Sequence, residues 1–392
     1  MKKKIAILGS TGSIGKTTFN IIKKYKNEFE VILLTTNKNT NELLDQVNKI
    51  KVKNIIVSDK SSYSIIKKKL KNKNINVYNN LNNLNKIVKI KVDYTMCGIS
   101  GLAGLKPTLD SIKFSKKIGL ANKESIICGW NLIKKQLDIN KTKFIPIDSE
   151  HFSIWSLINN HSEKSIEKII ITASGGPFFN LPLNKFKKIK PKSALKHPRW
   201  KMGKKISIDS ATMMNKVFEI IEAKRIFNLD INKFKILIHP KSYVHAIVKF
   251  NNGITKLLIH DTDMKIPIFN SIFNKSQKML NTSNLKLQIL NNLNFNEINE
   301  RKFPSINILK MIPKKISLYE TVLVSANDEL VDLFLKRKIK FIEIVKFLKK
   351  IMKMKYFTKY KNKIPNNYND LIKLSNFVRL KTKLLCIRYH ND

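Results

Sequence analysis

Acid, glycine and cysteine are all scarce in this chain, and each shortage excludes something. Twenty-eight aspartates and glutamates face 75 lysines and arginines, leaving a formal charge of +47. Such an excess invites a nucleic-acid reading. The cations do not gather, however. Lysine is spread along the whole chain in the company of Asn and Ile, as in Asn72-Lys73-Asn74-Ile75-Asn76. No basic stripe interleaved with aromatics and no basic helix with heptads stands out. The charge therefore reads as compositional, following A/T-rich codons, and no specific nucleic-acid partner is expected. Three distant cysteines, Cys97, Cys128 and Cys386, match no metal spacing and exclude a disulfide framework. They read as buried, reduced thiols of a cytoplasmic protein. No apolar run approaches the roughly 18–20 residues of a membrane span, so no membrane is expected. The basic start, Met1 to Ile5, leads at once into a strand and a glycine turn, which is the wrong shape for a signal peptide. Hydrophobic residues make up 43% of the 392, enough for a real core, which excludes a disordered polycation.

Glycine is the more informative shortage. There are 12, and none follows Gly253. Where glycine is scarce, each one marks a backbone position that side chains disfavour. Gly9, Gly12 and Gly15 form one group, Gly98, Gly101 and Gly104 a second, and Gly175 and Gly176 are adjacent. Beyond Gly253 the chain reads as helical, with apolar 3.6-residue spacing through 318–335 and 341–352.

Short apolar runs at 4–8, 31–35, 54–57, 76–78, 93–97, 118–121 and 144–147 alternate with helical patterns. That alternation predicts a doubly wound parallel α/β sheet over 1–148. A second α/β region over 149–274 is expected to hold strands at 168–172, 205–208, 234–238, 244–250 and 255–259, with helices at 151–159 and 211–227. A polar connector, 275–303, precedes a helical domain, 304–392.

Three motifs carry chemistry. The first strand runs into Gly9-Ser10-Thr11-Gly12-Ser13-Ile14-Gly15 and then a helix. This is a variant of the dinucleotide fingerprint, in which glycines admit a pyrophosphate to a helix N-terminus. Gly15-Lys16-Thr17 also resembles the end of a phosphate-binding P-loop, but the glycine that motif needs falls at Ser10. The second strand ends Thr36-Asn37-Lys38-Asn39, with a cation where NAD-binding folds place a carboxylate, which favours the 2′-phosphate of NADP. The second motif is Asp148-Ser149-Glu150-His151. In extended chain Asp148 and Glu150 share a side and suit one hard divalent cation, Mg²⁺ or Mn²⁺; capping of a following helix is the alternative. The third runs from Ser207 to Glu219. On a helix Asn215, Lys216 and Glu219 share one face, either a floor for a phosphate beside a metal or a solvated Lys–Glu pair.

Together with Leu120–Ser125, Ser174-Gly-Gly-Pro-Phe178, 197–207 and Ile238-His-Pro240, these blocks resemble, nearly end to end, the 1-deoxy-D-xylulose 5-phosphate reductoisomerase family. The resemblance implies a Rossmann-like N-terminal domain, a central catalytic α/β domain and a C-terminal helical domain. It implies NADPH-dependent, metal-assisted isomerisation and reduction of a sugar phosphate. Thr11, Gly12, Ser13, Ile14, Lys38, Asn39, Asn122, Glu124 and Gly203 would contact NADPH. Asp148, Glu150 and Glu219 would hold one divalent cation. Lys123, Ser149 and Glu150 would meet the carbonyl and hydroxyl end of the substrate. Ser174, His197, Ser210, Asn215 and Lys216 would meet its phosphate, beneath a mobile lid at 194–204 that carries Trp200. A homodimer joined through the central domain is also implied. Asn37, Ala173 and Arg199 depart from the family's usual Gly, Gly and Asn.

Overall fold

The structure, a computed structural model, describes every residue except 83, 160, 198–199, 201, 274–277, 284–285 and 392. The Arg199 departure therefore lies outside the described residues. The chain forms two compact units. One comprises 1–125, 132–152 and 263–281, the other 126–131, 153–262 and 282–392.

The first unit is built on seven parallel strands: β1 (Lys3–Leu8), β2 (Phe29–Thr36), β3 (Val52–Val57), β4 (Asn76–Tyr78), β5 (Tyr94–Cys97), β6 (Lys117–Leu120) and β7 (Lys143–Pro146). Their order is β4-β3-β2-β1-β5-β6-β7. All seven strands foreseen are present, with ends shifted by no more than two residues. The sheet is covered on both faces, so its strands are continuous apolar runs rather than alternating ones. Ile5, Ile7, Leu33, Leu34, Ile55, Ile56 and Met96 are fully buried. The order reverses between β1 and β5, the switch point at which such sheets leave a crevice beyond their C-terminal strand ends. Residues 263–281 return to this unit, where Phe269 and Phe273 pack on Tyr25 and Tyr94 hydrogen-bonds Ser271 (2.7 Å).

Helices α1 (Ser13–Lys24) and α2 (Thr40–Lys49) follow β1 and β2, α3 (Lys123–Asn140) follows β6, and α4 (Ser149–Leu157) follows β7. The second unit has a four-stranded sheet of β8 (Ile166–Ala173), β9 (Phe234–Ile238), β10 (Val244–Phe250) and β11 (Thr255–Ile259), ordered β11-β10-β8-β9. Its main helices are α5 (Lys204–Ala211), α6 (Met214–Ile226), α7 (Tyr319–Leu335), α8 (Phe341–Lys353) and α9 (Tyr368–Asn391).

Two expectations need correction. Residues 205–208 are helical, within α5, not a strand. Ile206 and Ile208 alternate with Ser207 and Asp209 and mimic a two-residue period. The i,i+4 ion pair Lys205–Asp209 (3.0 Å) and the bond from Ser207 Oγ to the Gly203 carbonyl (3.0 Å) favour the helix instead. Second, Asp148 and Glu150 do not lie on extended chain. The strand stops at Pro146, and α4 starts at Ser149.

Candidate active site

The glycine turn sits at the C-terminal end of β1, beside the switch point. Gly9 takes φ +77°, and its N–H donates to Thr35 Oγ1 (2.8 Å). A Cβ on Gly15 would lie 2.1 Å from the Gly9 carbonyl oxygen, so only glycine lets the helix start this close to the turn. Gly12 precedes α1 with extended backbone and no side-chain cap. The first N–H groups of α1 therefore face the turn without a side-chain acceptor, the arrangement that takes a phosphate. Thr11 Oγ1 is tied to Thr36 Oγ1 (2.6 Å), which joins the turn to the end of β2. These features fit the pyrophosphate of a dinucleotide.

Lys38 is exposed and lies 3.9 Å from Asp59. Hydrogen bonds from the Ser61 hydroxyl and from the Ser62 N–H and hydroxyl push the Asp59 carboxyl down to about 2. Asp59 ends the loop after β3 and was not singled out in the sequence, because the fingerprint looks for a carboxylate after β2. Asn37 adopts no left-handed backbone, so nothing at that position calls for glycine. Asn39 caps α2 through the Glu42 N–H (3.2 Å). Asn122 caps α3 through the Ser125 N–H (2.9 Å) and donates to the carbonyls of Ile99 (2.5 Å) and Gly101 (2.8 Å). Glu124 lies in the first turn of the same helix.

Lys123 and Asp148 meet in the first unit, at the ends of β6 and β7. Lys123 Nζ is 3.0 Å from Asp148 Oδ2, and both are largely buried. Burial alone would raise the Asp148 carboxyl. The charges of Lys123 and His151 and a hydrogen bond from Glu150 outweigh it and hold the group well below the usual carboxylate range. Ser149 Oγ donates to Glu150 Oε2 (2.5 Å), and the Glu150 N–H donates to Asp148 Oδ1 (3.2 Å). An ionised aspartate, a glutamate and a hydroxyl thus cluster in one helical turn. They form an oxygen donor set that suits Mg²⁺ or Mn²⁺. His151, buried with Nδ1 3.4 Å from Asp148, had no role in the sequence reading. Its i,i+3 approach exists only because this stretch is helical.

The second unit gathers the residues read as a phosphate floor. Ser174 follows β8. Its Oγ accepts from the Gly176 N–H (3.2 Å) and contacts His197 Nε2 (3.1 Å). The Trp200 N–H donates to His197 Nδ1 (2.9 Å), which places the imidazole proton on Nε2, facing Ser174. Burial, aided by the charge of Lys216, pushes His197 down to about 4, so the ring is neutral at pH 7. Lys216 Nζ lies 2.5 Å from Glu219 Oε2, and Asn215 Nδ2 donates to Glu219 Oε1. The i,i+3 and i,i+4 geometry read from the spacing is therefore present on α6. Met213, with φ 62°, makes the sharp join between α5, which bears Ser210, and α6. Gly203 caps α5. Of the lid segment, the described residues are 194–197, 200 and 202–204.

Comparison with known proteins gives one consistent result. A model of 1-deoxy-D-xylulose 5-phosphate reductoisomerase matches 5–129. Two C-terminal domain models of the same enzyme match 144–227 and 259–381. The 1-deoxy-D-xylulose 5-phosphate reductoisomerase of Pelagibacter ubique is 57% identical over 98% of this chain and 100% of its own length. That of Persephonella marina is 39% identical over 94% of each. Among solved structures, the Zymomonas mobilis enzyme in complex with NADPH superposes with a TM-score of 0.89 at 32% identity, covering 98% of this chain and 99% of that one. A reductoisomerase bound to NADPH, fosmidomycin and magnesium gives 0.88 at 28% identity, covering 98% of each chain.

Proposed function

The chain belongs to the 1-deoxy-D-xylulose 5-phosphate reductoisomerase family, and from that membership we propose which of its residues carry the reaction. The reaction itself is the NADPH-dependent, metal-assisted conversion of 1-deoxy-D-xylulose 5-phosphate to 2-C-methyl-D-erythritol 4-phosphate, a step toward isoprenoids. One observation carries the assignment of roles. A single parallel sheet bears an uncapped helix N-terminus with a glycine cradle beyond β1 and a half-buried, ionised Asp148 beyond β7. A dinucleotide and a cation-dependent centre can thus share one sheet edge.

In this reading Thr11, Gly12, Ser13 and Ile14 receive the NADPH pyrophosphate. Lys38 and Asn39 face its 2′-phosphate, and Asn122, Glu124 and Gly203 complete the cofactor contacts. Asp148, Glu150 and Glu219 hold one divalent cation. When bound, that cation supplies Lewis-acid stabilisation of negative charge on the substrate's oxygens. NADPH supplies the hydride. Lys123 donates a charge-assisted hydrogen bond to the carbonyl end, with Ser149 and Glu150 beside it. Ser174, His197, Ser210, Asn215 and Lys216 grip the phosphate. His197, with its proton held on Nε2, keeps the Ser174 hydroxyl oriented, which leaves the Ser174 proton to donate to a phosphate oxygen. Trp200 and the segment 194–204 exclude water from the reactive carbon centre. The protein works as a cytoplasmic homodimer joined through the central region, as the family resemblance implies.

Asp148→Asn tests the assignment. It should weaken Mn²⁺ binding in a calorimetric titration and lower kcat by about 10²- to 10³-fold, the scale of losing one electrostatic contact, with the circular dichroism spectrum unchanged. Unaltered Mn²⁺ affinity would remove Asp148 from the metal site.

A further inference from the structure

A second polar cluster in the same unit lies behind the phosphate floor. Asp209 is 1% exposed, on α5 next to Ser210. Its Oδ1 accepts from Asn327 Nδ2 on α7 at 2.7 Å, and Asn327 is completely buried. Its Oδ2 lies 3.0 Å from Lys205 Nζ. Lys205 also reaches Asp328 on α7 (3.2 Å), and Asp328 accepts from Arg379 on α9 (2.6 Å). Lys205 sits over the Phe218 ring of α6, 5.0 Å from its centroid. None of these side chains belongs to the substrate, metal or cofactor sets proposed above.

The cluster acts on α5 from one side, and a second constraint acts from another. Gly176 takes φ +65°, and a Cβ there would lie 2.9 Å from the Ser210 carbonyl oxygen. The turn that presents Ser174 therefore rests directly on the end of α5. Beyond that end, Ser305 Oγ holds the Thr212 carbonyl (2.6 Å), and Met213 makes its left-handed join to Asn215 and Lys216. A shift of α5 by a fraction of an ångström would thus move Ser174, Ser210, Asn215 and Lys216 relative to one another. Burying a carboxylate against an amide is unfavourable unless the pair is well aligned, so the pair fixes one register of α5 on α7.

We infer that Asp209 and Asn327 are positioning residues, a buried carboxylate–amide pair that locks α5 against α7 and so sets the spacing of the groups that grip the substrate phosphate. The inference rests on the reading of Ser174, Ser210, Asn215 and Lys216 as the phosphate site.

The test separates positioning from mere stability. In the full-length enzyme Asn327→Leu should raise KM for 1-deoxy-D-xylulose 5-phosphate at least tenfold. It should weaken competitive inhibition by inorganic phosphate in parallel and leave KM for NADPH within twofold. Asn327→Asp, nearly isosteric, should do the same by setting a second carboxylate against Asp209. The exchange Asp209→Asn/Asn327→Asp, which restores a carboxylate–amide pair with its members swapped, should recover most of the substrate KM. A substrate KM unchanged in Asn327→Asp, or no recovery in the exchange, would overturn the inference. Lys216→Ala serves as the companion control. If it leaves the substrate KM unchanged, the phosphate-site reading fails; if it raises KM while the Asn327 variants do not, only the positioning role fails.

Discussion

Removing the ammonium of Lys216 disturbs the proposed phosphate site in a calculable way. Lys216 is 7% exposed and paired to Glu219, which is 1% exposed. Lys216→Ala deletes one charge-assisted contact to the phosphate dianion, an interaction of about 1.5–3 kcal/mol. At about 1.4 kcal/mol per factor of ten, kcat/KM should fall roughly 10- to 150-fold. KM for NADPH should stay within about twofold, because none of the proposed cofactor contacts involves Lys216. The same variant has a second readout. His197 is held near 4 by burial first and by Lys216 second, so losing the cation raises its pKa toward the ordinary 6.5. In the unmodified protein the folded pKa is depressed, so the unfolded chain binds the proton more tightly. Its contribution to stability is then full above about 6.5 and lost as pH falls toward about 4. In Lys216→Ala that loss is smaller. The assays are NADPH absorbance for kinetics and a histidine NMR titration for the pKa. A kcat/KM within twofold of the parent, with His197 still titrating near 4, would refute the reasoning for both roles of the lysine.

Other consequences are equally concrete. Lys38→Glu should lower the ratio of NADPH to NADH kcat/KM by about tenfold or more, the worth of one charge-assisted phosphate contact; equal use of both cofactors by the parent enzyme would contradict the assignment. Burial pushes the Cys97 thiol up to about 11 and that of Cys386 up to about 12, so neither is ionised at pH 8. A disulfide reagent such as DTNB should find them unreactive until urea unfolds the chain, and rapid labelling of the native protein would show the thiols misplaced. Arg225 pairs with the fully buried Glu320 and donates to the carbonyls of Lys314 (3.1 Å) and Lys315 (3.0 Å). Arg225→Ala strands that carboxyl and should cost about 3–5 kcal/mol in urea unfolding, whereas a loss below 1 kcal/mol would mean Glu320 finds another partner.

The sequence was most legible where one physical demand dominates a stretch. The strands of the parallel sheet had to be apolar on both faces, and runs such as Ile5–Leu8 could be little else. The turn at Gly9–Gly15 was legible because Gly15 cannot be replaced without striking the Gly9 carbonyl. The face shared by Asn215, Lys216 and Glu219 followed from helical spacing alone. What failed depended on side-chain contacts that apolar spacing does not register, some within one helical turn and some distant in sequence. The alternation at 205–208 was outweighed by Lys205–Asp209 pairing and by the bond from Asn327, 118 residues away. The partners of Asp148 needed β6 and α4 beside it before Lys123 and His151 could be recognised. Asp59 approaches Lys38 only because β2 and β3 lie side by side, a pairing that the order of residues does not display.

The central claim meets its most direct test in one cuvette. Purified enzyme with 1-deoxy-D-xylulose 5-phosphate, NADPH and Mn²⁺ should consume NADPH in equimolar proportion to the 2-C-methyl-D-erythritol 4-phosphate formed. Excess chelator should stop the reaction, and added Mn²⁺ should restart it. NADPH consumption that proceeds unchanged in chelator, or no product despite folded protein, would contradict the account.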